Sequence, residues 1–89
     1  MNDIIYKYEL ELTENQTLTI PRGVFLSCQN QHGNIVFWQK EQVGQEKGKR
    51  TFKIIPTGKP LDSGESLFFL GTVQFEFFVW HVFELFEIK

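Results

Sequence analysis

Few side chains in this chain are equipped for chemistry. His32, His81 and Cys28 are its only strong transition-metal ligands besides carboxylates. None stands at the C-x-x-C or H-x-x-x-H spacing that brings two ligands onto one ion, so no metal is expected. His81 and Glu84 form the one close histidine–acid couple. Residues three apart on a strand point to opposite faces, which keeps them from acting as a base and its orienting partner. No serine lies in a G-x-S-x-G elbow. Thr57-Gly58-Lys59 matches only the middle of a phosphate loop. It lacks the leading glycine, the following Ser or Thr and a helix whose N-terminus would aim N–H groups, and it reads as a tight proline-flanked turn. Neither catalysis nor a cofactor is expected.

Charge and aromatic rings are more informative. Between Lys40 and Lys59 the cations Lys40, Lys47, Lys49, Arg50, Lys53 and Lys59 face only Glu41 and Glu46, in a chain of formal net charge −2. A basic stretch on an acidic chain suits an acidic protein surface or phosphates. The expected contact surface is the Glu41–Arg50 loop with the rigid turn at 57–59, because binding residues collect on loops held by a stiff sheet. Its partner-binding residues are Lys47, Lys49, Arg50, Thr57 and Lys59.

The other concentration is aromatic. Val73 to Phe86 reads VQFEFFVWHVFELF, with no Gly or Pro and no helical stripe. That pattern fits a strand buried on both faces, or one that also meets a partner. An alternating strand buries one side in its own core. The remaining rings predict a homodimer, with Phe77, Phe78, Trp80, His81, Phe83 and Phe86 as the self-association residues. Glu76, Glu84 and Glu87 make the same strand acidic, which argues against a phosphate track and against nucleic acid as the partner.

These residues must be positioned by short strands. Ile4–Leu12 alternates Tyr6, Tyr8, Leu10 and Leu12 against Lys7, Glu9 and Glu11, the pattern of a half-buried antiparallel strand. Further strands are predicted over Thr17–Ile20, Val24–Gln29, Ile35–Gln39, Arg50–Ile55, Leu67–Val73 and Phe77–Phe86. Pro21-Arg22-Gly23, Gln31–Asn34, the polar Glu41–Gly48 loop, Pro56–Pro60 and Asp62–Glu65 punctuate them. Within Gln31–Asn34, Gly33 and Asn34 are the residues expected to tolerate positive φ. In the Leu67–Val73 strand, Gly71 is a candidate bulge or close-approach point. A short turn near Phe75 and Glu76, or one long bent strand, accounts equally for the last link. Strands at this spacing predict an all-β fold, a small antiparallel sandwich or barrel of six to seven strands in a single domain.

The predicted core holds Tyr8, Leu10, Leu26, Phe37, Phe52, Ile54, Phe69 and Val82. In 89 residues, 10 Phe, 2 Trp and 2 Tyr supply the buried area. Each ring contributes roughly 150–250 Å² to a domain too small to bury much else. The lone Cys28 excludes an intrachain disulfide. The opening MNDIIYKYE has neither the basic nor the apolar region of a signal peptide, and no run approaches a membrane span, so a soluble cytoplasmic protein is expected.

Several fragments together resemble a family of small phage- and prophage-encoded proteins of unknown function. They are Ile5-Tyr6-Lys7-Tyr8, Pro21-Arg22-Gly23, Arg50-Thr51-Phe52, Thr57-Gly58-Lys59-Pro60, Leu70-Gly71-Thr72 and Val79-Trp80-His81-Val82-Phe83-Glu84. The last is the closing V-[FW]-H-V-F-E motif. Pro56 stands where the family pattern has Gly, and Leu85 to Lys89 extend beyond the motif. The resemblance implies a viral or prophage origin and a small accessory role, and it assigns no residue a function.

The functional expectation is a phage accessory protein that binds a protein without turnover, with a host or defence component as the partner. The alternatives are a virion structural or assembly protein, and a nucleic-acid or nucleotide binder using the basic 40–59 region.

Overall fold

Alternation of apolar and polar side chains runs through seven strands. The computed structural model describes residues 2–62 and 64–86, and no helix occurs among them. The strands are β1 Asp3–Leu10, β2 Asn15–Pro21, β3 Val24–Gln31, β4 Asn34–Gln42, β5 Lys47–Pro56, β6 Ser66–Phe75 and β7 Phe78–Phe86. They form two antiparallel sheets, β1-β4-β3 and β2-β5-β7-β6, packed as a sandwich. Ser63 of the predicted Asp62–Glu65 turn lies outside the described residues, as do Glu87 of the acidic strand and the following Ile88 and Lys89.

Turn chemistry sets the hairpins. His32 and Gly33 both hold positive φ, 55° and 85°, as a two-residue type I′ turn requires. The positive torsion thus falls on His32 and Gly33 rather than on Gly33 and Asn34, and Asn34 already belongs to β4. The last link is a short turn. Glu76 and Phe77 join β6 to β7 between the paired residues Phe75 and Phe78, and Glu76 sits at φ 54°. After β5, Lys59 N donates to Pro56 O at 3.2 Å with Gly58 at φ 96°, the signature of a type II turn.

The core is drawn from both sheets. Leu10, Ile20, Ile35, Phe37, Phe52, Ile54, Val73 and Val82 are buried together, with Tyr8, Leu18, Phe25, Cys28, Leu70 and Trp80 packed against them. Phe37 is its centre. Tyr8 and Phe52 each lie 5.3 Å from it between ring centroids, and Phe25 stacks at 5.8 Å.

Two expected core residues face outward, and β-bulges explain both. Register slips between Phe25 and Ser27, where Leu26 is the additional residue. Phe25 and Cys28 therefore both reach the core, and Leu26 is 45% exposed. A second slip between Phe69 and Gly71 sends Leu70 to the core. Phe69 stays on the outer face, 54% exposed and edge-on to Phe83 at 5.5 Å. A bulge inserts one residue and so inverts the facing of everything beyond it.

The strand of the expected self-association, Phe77–Phe86, does not lie at a sheet edge. β7 is an inner strand, paired to β5 on one side and β6 on the other. From Trp80 to Leu85 its backbone is paired on both sides, so association through these rings would be by packing of faces rather than by strand pairing.

Candidate functional site

Odd-numbered residues of β4 face inward, and this continues past the apolar Ile35 and Phe37 to Gln39 and Glu41, both buried. Polar groups without water need partners, and four other strands supply them. Arg50 on β5 sends Nε to Glu84 Oε2 at 2.8 Å and Nη2 to Oε1 at 2.7 Å, a two-point pairing with β7. Its Nη1 donates to Pro21 O at 3.1 Å and to Gln39 Oε1. Gln39 Nε2 donates to Pro21 O at 2.9 Å and to Glu41 Oε2 at 2.8 Å. The Tyr8 hydroxyl on β1 donates to the same carboxylate oxygen. Burial, and then this bond, hold the Tyr8 phenol above its ordinary pKa. The guanidinium carbon of Arg50 lies 5.3 Å from the centroid of the Phe52 ring, within cation–π range.

Gly23 makes room for this arrangement. A Cβ there would stand 2.5 Å from both Gln39 Cγ and Lys40 O. Pro21 contributes its carbonyl, which accepts from both Gln39 and Arg50. Pro21-Arg22-Gly23, Arg50 and Glu84 belong to three fragments far apart in sequence, and here they meet. Both Glu84 oxygens are engaged by Arg50, and one Glu41 oxygen is shared by Tyr8 and Gln39. These carboxylates accept hydrogen bonds that tie the strands together.

A cleft of about 260 Å³ opens beside the cluster, lined by Arg22, Phe25, Phe68, Leu70, Glu84 and Phe86 among others. Phe68 and Phe86 meet edge to face at 6.3 Å and remain 60% and 38% exposed. A second cleft of about 460 Å³ shares Arg22, Arg50, Glu84 and Phe86 and adds Lys49 and Thr51. Arg22 is an exposed cation at the mouth of both. The concavity thus offers aromatic walls, a rigid buried floor and positive charge at its rim.

His81 sits elsewhere, on the outer face of the four-stranded sheet. Its Nε2 lies 2.7 Å from Thr57 Oγ1 and its Nδ1 3.0 Å from Thr72 Oγ1. Thr57 N also donates to Val79 O at 3.0 Å. The ring pins the turn after β5 onto β7.

The sequence-predicted contact residues do not form one surface. Arg50 is a correction: it is buried rather than presented by a loop, since it alternates inward on β5 and is neutralised by Glu84. Glu41 is likewise buried, and β4 and β5 shorten the predicted loop to Val43–Glu46. Lys47 and Lys49 are exposed at the start of β5, whereas Thr57 and Lys59 follow its end. Nine steps of about 3.3 Å put ~30 Å between the two sets. The positive stretch is also largely neutralised, because Lys53 pairs with Glu65 and Lys59 with Glu14. The Lys59 bond holds the Glu14 carboxyl below its ordinary pKa.

The predicted self-association residues scatter as well. Phe77 is 96% exposed at the turn tip, Phe78 is exposed beside it, and Trp80 packs inward against the core. His81 and Phe83 are half-buried on the outer face, and Phe86 walls the cleft. Sequence reading missed Arg22, Phe25, Phe68 and Leu70 as cleft residues. The one signal for them was an exposed-type cation between Pro21 and Gly23.

The family described as Domain of unknown function (DUF7352) matches residues 1–88. The chain belongs to this family. Neither a curated protein nor a solved structure matches it. In this DUF7352 domain no described helix is long and apolar enough to cross a membrane. No group of three or more His, Cys, Asp or Glu among the described residues is placed to hold a metal ion.

Proposed function

We propose that this DUF7352 protein is a phage accessory protein of the host cytoplasm that binds a protein partner without turnover, through the cleft walled by Phe68 and Phe86. The observation that carries this reading is the exposure of those two rings beside a floor fixed by buried polar bonds. Aromatic side chains on a rigid, concave base are the usual anchors of protein recognition. Arg22 at the mouth favours a segment that combines apolar side chains with a carboxylate. The sequence resemblance supports the phage origin.

The nucleic-acid alternative draws less support. Of the six cations between Lys40 and Lys59, Arg50, Lys53 and Lys59 are paired with carboxylates. Lys40 alternates to the outer face of one sheet and Lys47 and Lys49 to that of the other. A phosphate track needs its charges in a row.

The test compares wild type with Phe68→Ser and with Arg22→Glu in affinity capture from host cells, followed by calorimetry on the purified pair. Neither position is in the core, so folding should survive, and circular dichroism checks it. A protein retained by wild type, lost by both variants and bound by the purified wild type supports the reading. Binding that both variants leave intact moves the contact away from the cleft. Binding of wild type to oligonucleotides with a steep salt slope replaces the reading with the nucleic-acid one.

A further inference from the structure

Each sheet has two edge strands, and three of the four are blunted. β3 and β6 each carry a bulge, and they close the sandwich against one another. β2 ends in Pro21 and has its Gln16 side chain folded back onto the Glu11 backbone at 2.6 and 2.8 Å. Bulges, proline and charged side chains are how proteins protect a sheet edge from pairing. β1 has neither bulge nor proline, and its edge is guarded only by the charges of Asp3, Lys7 and Glu9. Its register with β4 is unbroken from Asp3 to Leu10.

The backbone shows which β1 groups are open. Val43 N donates to Asn2 O at 3.1 Å, continuing the β1–β4 register by one pair. In an antiparallel ladder the residues that bond one neighbour alternate with those that face away. Asn2, Ile4, Tyr6, Tyr8 and Leu10 therefore bond β4. The N–H and C=O groups of Asp3, Ile5, Lys7 and Glu9 point outward along the free edge. Beside them Ile4, Ile5 and Tyr6 are exposed, Ile5 at 58%.

We infer that this edge pairs with β1 of a second copy, antiparallel about a two-fold axis at Ile5, to join the two three-stranded sheets. In that register Asp3 faces Lys7 of the other copy, twice by symmetry. Ile4 faces Tyr6, and Ile5 faces its own equivalent. Every pair set opposite by an axis at Ile5 that uses the open backbone groups, Asp3 with Lys7 and Ile5 with Ile5, is drawn from the outward-pointing residues. Neighbouring registers are worse. An axis at Tyr6 sets Asp3 against Glu9, and one at Lys7 sets that cation against itself; like charges directly opposite destabilise a strand pair. An axis at Tyr8 matches Lys7 with Glu9 but leaves the exposed Ile4 and Ile5 outside the contact. In the single copy Lys7 Nζ donates to Gln31 Oε1 at 2.7 Å across β4. This is an exposed bond that uses one of three ammonium donors. The pairing is separate from the aromatic cleft and does not rest on the partner-binding reading.

Sedimentation equilibrium over a wide concentration range tests it with three variants, Asp3→Lys, Lys7→Asp and the double exchange. All the substitutions are on an exposed face, and circular dichroism confirms folding. The inference expects a monomer–dimer equilibrium in wild type, roughly a tenfold or larger loss of dimer affinity in each single variant, and recovery in the double variant. Mixing the two single variants should yield the heterodimer, because one then presents two lysines and the other two aspartates. A wild type monomeric throughout overturns it, as does a dimer indifferent to both single exchanges. Loss in both single variants without recovery in the double overturns the Ile5 register.

Discussion

The Arg50 guanidinium and the Glu84 carboxylate face each other in a two-point pairing, 2.8 and 2.7 Å, with both side chains less than a tenth exposed. They join β5 to β7 across adjacent strands, 34 residues apart in sequence. Planar donors against a planar acceptor give such a pair its geometry, and burial makes each partner indispensable to the other.

Glu84→Ala should therefore destabilise the domain by about 3–5 kcal/mol, because an uncompensated guanidinium is left inside. For a domain whose total stability is of order 5–15 kcal/mol, that approaches unfolding at ambient temperature. Replacing the pair together, Arg50→Leu with Glu84→Leu, should cost much less than the two single losses combined. Urea denaturation of wild type, Glu84→Ala, the two single Leu variants and the double measures this. A Glu84→Ala midpoint equal to wild type would show that the pair is not structural.

The strand framework was legible because period-2 alternation and turn residues are local signals. Both ends of this pair were also visible as residues, Arg50 before Phe52 and Glu84 after Phe83. Their meeting was not, since the sequence reads Arg50 as one more cation of a basic loop. Whether a charge sits in a loop or alternates into the core depends on which strand it extends, and that is decided by tertiary pairing. The β3 bulge was hidden for a related reason, whereas Gly71 marks the one in β6. Nothing local marks Leu26 as the additional residue, and a glycine that flags a bulge does not say which neighbours it turns; one additional residue in each strand moves Leu26 and Phe69 out of the core and Phe25 into it. The cleft inherits this, because Phe25, Phe68 and Leu70 take their facing from those slips.

Core truncations should separate the two classes sharply. Phe52, wholly buried and 5.3 Å from the Phe37 ring, should lose about 3–5 kcal/mol on change to Ala. Leu26→Ala, on the outer side of its bulge, should stay within about 0.5 kcal/mol of wild type. Comparable losses at the two positions would mean that the β3 bulge is misplaced.

Glycine at 71 holds the two bulged strands close. A Cβ built there would lie 2.5 Å from Cys28 Sγ, so Gly71→Ala should destabilise by about 1–3 kcal/mol through overpacking. Cys28→Ala removes the obstructing sulfur, and in that background Gly71→Ala should cost appreciably less. A double-mutant cycle reads the coupling directly. Strict additivity would refute the contact. Burial raises the Cys28 thiol pKa, so the wild-type sulfur should also alkylate slowly while the domain is folded.

Tyr8 should give the stability curve an alkaline limb. Its phenol is raised above the ordinary value by burial first and then by the bond to Glu41, whereas in the unfolded chain it titrates near pH 10. The folded protein thus keeps a proton that the unfolded chain releases. Below about pH 10 both states hold it and the stabilisation is complete; above that pH it is lost as the unfolded chain ionises. The slope cannot exceed about 1.4 kcal/mol per pH unit, and solvent around the partly exposed ring makes it smaller. Tyr8→Phe deprives Glu41 of a donor and should be less stable than wild type at neutral pH, by about 1.5–3 kcal/mol for a bond to a charged group. It should lack the Tyr8 limb, so the gap between the two proteins narrows as pH rises past 10. The two proteins differ in this hydroxyl alone, so the difference between the two curves isolates Tyr8. Paired urea titrations from pH 8 to about 11 measure it. A constant or widening gap would show that the phenol ionises equally in both states and that its bond to Glu41 does not hold in solution.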